Sequence, residues 1–177
     1  MTSSIDQDAR AVFLPAFDNL QFEEALVSFL EMGGCSVLIG ESRAEYVARA
    51  MSKERLAAET PDKFRACIAR LKARRPELIV AVDQEIGGIE RLQGLVSPLP
   101  GRAEANSLSE EMLEERCFRT AAAARELGVT MFLAPIADIV DGSNPWLSGR
   151  TPGNDLQATA RMVAAFVRGV QRAGCRP

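Results

Sequence analysis

Leu78-Ile79-Val80-Ala81-Val82-Asp83 is an unbroken apolar run that ends on a carboxylate. It lacks the polar alternation of a strand with one wet face, and runs of this kind belong to parallel strands covered by helices on both sides. Immediately upstream, Thr60-Pro61 supplies an N-cap and a proline at the first helical position, opening a helix to about Arg75 that Pro76 ends. Farther upstream, Cys35–Gly40 (CSVLIG) reads as a second strand and Ala11–Phe17 (AVFLPAF) as a first, with the turn pair Asp18-Asn19 after it. Between them, Phe22, Ala25, Leu26, Phe29 and Leu30 recur at helical spacing over Phe22–Met32, before the glycine cap Gly33-Gly34. The polar segment Arg43–Ala50 reads as helix, followed by a short turn near Ser52.

Downstream, Pro98, Pro100 and Gly101 mark a loop. Ser107 and Glu110 then have capping-box spacing, predicting a long helix to Leu127 closed by Gly128. Val129–Ala137 (VTMFLAPIA) reads as a fourth strand, and the glycine- and proline-punctuated loop Asp138–Gly153 is too long for a plain connector. Asn154 or Asp155 caps a last helix that carries Ala158, Met162, Val163, Phe166, Val167 and Val170 on its apolar face and ends at Gly174.

Strand and helix thus alternate four times, which implies an α/β domain with a parallel sheet and right-handed crossovers, either doubly wound or barrel-like. A (β/α)8 barrel needs eight such units and about 250 residues. The 177 residues suit a single domain, 1–177. A formal net charge of −3, with 21 basic and 24 acidic residues spread along the chain, offers no basic stripe for nucleic acid. No run of eighteen apolar residues and no basic leader occurs, so the expected setting is cytoplasmic, away from membrane. Cys35, Cys67, Cys117 and Cys175 show no C-x-x-C spacing and read as buried thiols. The chain holds no histidine, which removes His-based triads, His general bases and His-ligated zinc; neither a metal nor a cofactor is expected.

Ligands of parallel β/α folds bind at the C-terminal ends of the strands. Asp18, Glu41, Asp83-Gln84-Glu85, Asp138 and Asp141 fall there, a carboxylate rim suited to a polar, sugar-like or cation-bearing ligand. Asp83 is the strongest candidate, because it ends the apolar strand and precedes the flexible pair Gly87-Gly88. Arg91 and Arg150 add planar donor forks within reach of the same rim.

Val82–Leu92 (VDQEIGGIERL) resembles the V-D-Q-E-G-G-x-x-x-R-L signature of glycoside hydrolase family 3, in particular its β-N-acetylhexosaminidase branch. Met131–Asp138 (MFLAPIAD), Asn144-Pro145-Trp146 and Gly149–Asp155 (GRTPGND) resemble that branch's fourth strand and its G-R-[ST]-x-G-x-D loop. Ile86 departs from the pattern at the first glycine, and Gly88 stands where an arginine is usual. The resemblance implies a TIM-like barrel of which this chain forms the first half. It also implies retaining hydrolysis of N-acetylglucosamine-containing glycans, with Asp83, Arg91 and Arg150 holding the sugar. In that branch the nucleophile and the histidine acid/base belong to later strands, which have no counterpart here. The chain alone is therefore expected to be inactive, with no catalytic residue assigned. A sugar-binding module without chemistry, or a half-barrel that pairs its first and fourth strand edges in a homodimer, are the other expectations.

Overall fold

The computed structural model describes residues 4–140, 142–147 and 149–177. Its strands are β1 (Ala16–Phe17), β2 (Ser36–Ile39), β3 (Ile79–Val82) and β4 (Met131–Phe132), and all pair in parallel in the order β1-β2-β3-β4. Sequential order decides what the sequence left open. A doubly wound sheet reverses strand order at a switch point, whereas here every crossover steps to the next strand in one direction, as in a barrel wall. Val80, Ala81 and Val82 are fully buried, as a strand covered on both faces requires. Beyond β4, Arg176 takes the outer edge: its N–H donates to Thr130 O (2.9 Å) and its carbonyl accepts from Phe132 N (2.8 Å).

The helices are α1 (Ser4–Ala11), α2 (Glu23–Glu31), α3 (Arg43–Ala48), α4 (Lys53–Ala58), α5 (Pro61–Arg74), α6 (Arg102–Ser107), α7 (Glu110–Glu126) and α8 (Leu156–Arg172). Thr60 and Asp155 cap α5 and α8 by accepting from Lys63 N and Ala158 N. Ser42 and Glu45 form a capping box on α3. Phe64, Ile68 and Leu71 of α5 and Leu113, Cys117 and Ala121 of α7 bury their apolar faces in one core with β2 and β3. All four cysteines are free thiols; Cys67, Cys117 and Cys175 are buried and Cys35 is half-buried. Among the described residues, no helix is long and apolar enough to cross a membrane.

Several boundaries differ from the sequence reading, each for a local reason. Ala11 ends α1, and Pro15, without an N–H for the ladder, delays strand pairing to Ala16. The turn at Ser52 is the cap of a full helix, α4, where Ser52 accepts from Arg55 N. Ser107 lies in the last turn of α6; Leu108 is extended, and Ser109 caps α7 by accepting from Met112 N, so the expected Ser107–Glu110 box does not form. β4 is shorter than Val129–Ala137 because Pro135 again lacks a donor, and bonding to β3 stops at Leu133 N, which donates to Val82 O.

The largest helix pairing is α7 against α8, at a point where Gly169 meets the α7 backbone. A Cβ at Gly169 would lie 2.5 Å from Glu114 O and 2.9 Å from Phe118 N. Outside this seam, Glu114 accepts from Arg168 and Arg172 at 2.9 Å each, and Arg172 stacks on Phe118 at 4.0 Å. Gly169→Ala is expected to lower stability by about 1–3 kcal/mol through overpacking, although alanine favours helix over glycine by about 1 kcal/mol. A lowered urea midpoint at unchanged slope checks this; a raised midpoint contradicts the close seam.

Candidate functional site

The segment after β3 folds back on itself. Arg91 N donates to Asp83 O (2.9 Å) and Glu85 N to Ile89 O (2.7 Å), and Gly87 makes the bend with a φ of +68°. Side chains lock the loop from inside. Gln84, fully buried, accepts from Leu92 N through Oε1 (3.0 Å), and Glu85, 1% exposed, accepts from Ile89 N through Oε2 (3.2 Å). Ile86 turns into the apolar core. A Cβ on Gly88 would stand 1.9 Å from Glu85 Oε2, so the bare glycine is what lets the carboxylate occupy this place. The two departures from the family motif therefore act together: one adds an apolar anchor, the other leaves room for Glu85.

Arg150 arrives from the long loop after β4 and closes a bidentate pair on Glu85, with Nη2 to Oε1 at 2.5 Å and Nε to Oε2 at 3.0 Å. Its Nη1 donates to Tyr46 Oη of α3 at 2.9 Å. Arg91 points inward. It is 1% exposed, donating from Nε to Gly40 O (2.6 Å) and from Nη2 to Glu59 Oε2 (2.8 Å). Glu59 also accepts from Arg55 (2.9 Å), and Arg55 pairs with Glu45 (2.6 Å), so carboxylates and guanidiniums alternate from α3 to the post-β3 loop.

Asp83 stands beside this machinery without an ion pair among the described residues. Burial and the nearby Glu85 carboxylate raise its pKa from 3.8 to about 6, against the opposing pull of Arg150. Glu41, just after β2, is raised from 4.5 to about 7 by burial and by Asp83, with Arg91 opposing. Three buried polar atoms here have no partner: Glu41 Oε2, Gln84 Nε2 and Arg91 Nη1. Two donors and an acceptor in this state suit a ligand with several hydroxyl groups.

Of the carboxylates expected on the rim, Glu41, Asp83 and Glu85 converge. Asp18 is exposed and accepts from Asn19, Asp138 is exposed, and Asp141 lies outside the described residues. Tyr46, Glu59 and Arg55 bear no motif, and nothing in their spacing along the chain joins them to Asp83. The single tyrosine of the chain was the one available hint. No group of three or more metal-binding side chains occurs among the described residues.

A singly wound parallel sheet with polar residues gathered past its C-terminal strand ends defines a β/α-barrel-type domain. Residues 25–177 match the glycosyl hydrolase family 3 N-terminal domain, and the chain belongs to that family. A β-hexosaminidase of Pseudomonas aeruginosa is 34% identical over 118 residues, covering 66% of this chain and 36% of the relative. One of Methylococcus capsulatus is 28% identical over 119 residues, 65% of this chain and 36% of the relative. The chain thus spans about a third of the length of these relatives. Among solved structures, a β-N-acetylglucosaminidase from Paenibacillus superposes with a TM-score of 0.77 at 23% identity, over 98% of this chain and 32% of the other. A β-N-acetylhexosaminidase from Beutenbergia cavernae gives 0.76 at 22%, over 99% and 52%. At these identities the superpositions speak for the fold.

The raised carboxyls set a pH dependence. Asp83 and Glu41 hold their protons more tightly folded than unfolded, so as pH rises toward about 7 their contribution to stability falls, while Glu45, held ionised by Arg55, acts in the opposite sense and only near and below its unfolded value of 4.5. With no histidine in the chain, no imidazole titrates in that window. Urea midpoints measured from pH 4.5 to 7.5 are expected to decline, and Asp83→Asn to flatten the decline; a rise over this range contradicts the assignment.

Proposed function

We propose that this chain supplies the sugar-binding half of a retaining β-N-acetylhexosaminidase, in which Asp83, Arg91 and Arg150 hold the non-reducing N-acetylglucosamine unit. The observation that carries the reading is the meeting of Asp83 and the Glu85–Arg150 pair, from loops far apart in sequence, at one rim. Family membership and relatives named β-hexosaminidases support it. In this arrangement the ionised Asp83 accepts from two sugar hydroxyls. Arg150, its guanidinium fixed by Glu85 and Tyr46, presents an edge to the ring. The unpartnered Nη1 of Arg91 donates from below. Pairing of Arg91 with Glu59 keeps its charge compensated, so one free donor is available without an uncompensated buried cation.

Hydrolysis by this route needs a nucleophile and an acid/base partner besides these residues. Of the three carboxylates that converge here, Glu85 is held in its pair with Arg150, and Asp83 and Glu41, with its unpartnered Oε2, are placed to grip hydroxyls. The 177-residue chain binds sugar and does not turn it over.

Titration with N-acetylglucosamine, followed by amide shifts of Asp83–Arg91, is expected to show saturable binding that strengthens as pH rises through about 6. Asp83→Asn should weaken it about 10- to 100-fold, the span of one or two charged hydrogen bonds. Absence of any shift overturns the sugar-binding reading. An aryl N-acetyl-β-glucosaminide should not be hydrolysed; turnover that survives purification and depends on Asp83 overturns the non-catalytic assignment.

A further inference from the structure

On the far side of Arg150 from Glu85 lies a second recess, about 200 Å³, lined by Arg43, Tyr46, Arg49, Ile89, Trp146 and Arg150 among others. Its floor is aromatic. The Tyr46 and Trp146 ring centroids are 5.4 Å apart with the planes tilted by 36°, and Trp146 is 59% exposed. Its walls are cationic. The Arg43 guanidinium lies 5.4 Å from the Tyr46 centroid and 5.8 Å from that of Trp146, and Arg150 lies 5.6 Å from Tyr46. Arg49 passes against Gly149, where a Cβ would lie 2.5 Å from Nη1; with φ at +74° this position suits glycine and keeps the guanidinium beside Arg150.

Among the described residues, no carboxylate lines this recess. Arg43 is exposed and makes no ion pair among the described residues, so its charge is uncompensated there. Exposed aromatic faces pack against the apolar C–H face of a pyranose, and an arginine fork pairs a carboxylate in bidentate fashion. Drug-sized ligands fill about 300–1,000 Å³, so this recess takes one ring. We propose that it is a second subsite, for a carboxylate-bearing sugar unit of the uronic-acid type. The ring stacks on Trp146 and the carboxylate pairs with Arg43. Arg150 borders both sites, so the acidic unit is held beside the one at Asp83, and the glycan read by this face is acidic at one position. This placement rests on the sugar-binding reading of Asp83; the recess itself does not.

Trp146 is the only tryptophan in the chain, so its fluorescence reports on this recess alone. Three probes are titrated separately at pH 7.5: glucuronate, methyl β-glucoside and acetate. Saturable change with glucuronate, at least tenfold weaker for the glucoside and for acetate, is expected. Arg43→Gln should weaken glucuronate at least tenfold and Arg43→Lys less, with urea midpoints confirming that both variants fold. Added 0.5 M NaCl should weaken glucuronate further, because the pair is exposed to screening. Equal responses to glucuronate and glucoside overturn the carboxylate; equal responses to glucuronate and acetate overturn the sugar ring; no response overturns the subsite. Amide shifts at Asp83–Arg91 with N-acetylglucosamine, recorded on the same samples, separate this from the first site. Loss of those shifts with the glucuronate response intact removes the Asp83 reading and leaves the recess standing.

Discussion

The buried run of alternating charge, Glu45–Arg55–Glu59–Arg91, is the constraint on which the rim depends. Each carboxylate and guanidinium in it is less than one-tenth exposed, and each has at least one opposite partner between 2.6 and 2.9 Å. An ion left alone at such depth costs several kcal/mol, whereas a paired and hydrogen-bonded one roughly offsets its own desolvation. Removing any one link therefore uncovers a neighbour. Because the run begins in α3, passes through α4 and ends on the loop after β3, it fixes two crossover helices against the strand ends. Its last member, Arg91, also donates to Gly40 O at the end of β2. Glu45 serves twice, since it also completes the capping box of α3 and is held strongly ionised by Arg55.

A second pair, Glu85 with Arg150, repeats this logic nearer the surface and sets the character of what remains. With Glu85 and Glu59 each spoken for by an arginine, Asp83 and Glu41 are the site's carboxyls without an ion pair among the described residues; burial raises both, reinforced at Asp83 by the Glu85 carboxylate and at Glu41 by Asp83. The site thus separates its carboxylates into two that build and two that are available. Arg150 connects the two outcomes: one side of its guanidinium holds Glu85, and the other side meets Tyr46 and the aromatic recess. Position Gly88 permits all of this, because any side chain there would collide with Glu85.

Much of the scaffold was readable because its signals are local. The apolar run Leu78–Asp83 had to be a doubly covered strand, and Thr60-Pro61, Asp155 and Gly128 mark helix ends by backbone chemistry that needs no distant partner. Reading failed where a rule of short range competed with another. Pro15 and Pro135 shortened the outer strands, and Leu108, extended after Ser107, moved the cap of α7 from the expected Ser107 to Ser109.

By itself the sequence determined that helices and parallel strands alternate, that Asp83 ends a buried strand, and that Asp83, Arg91 and Arg150 fall in motifs of one family. Tertiary structure alone decided that the sheet winds in a single direction. It also decided that Arg91 lies beneath the rim rather than on it, and that Glu85 pairs with Arg150 across 65 residues. The reason is physical. Strand and cap signals arise from backbone geometry within a few residues, but the partner of a charged side chain is set by which loops close over it and how much water they exclude, and no spacing along the chain records that.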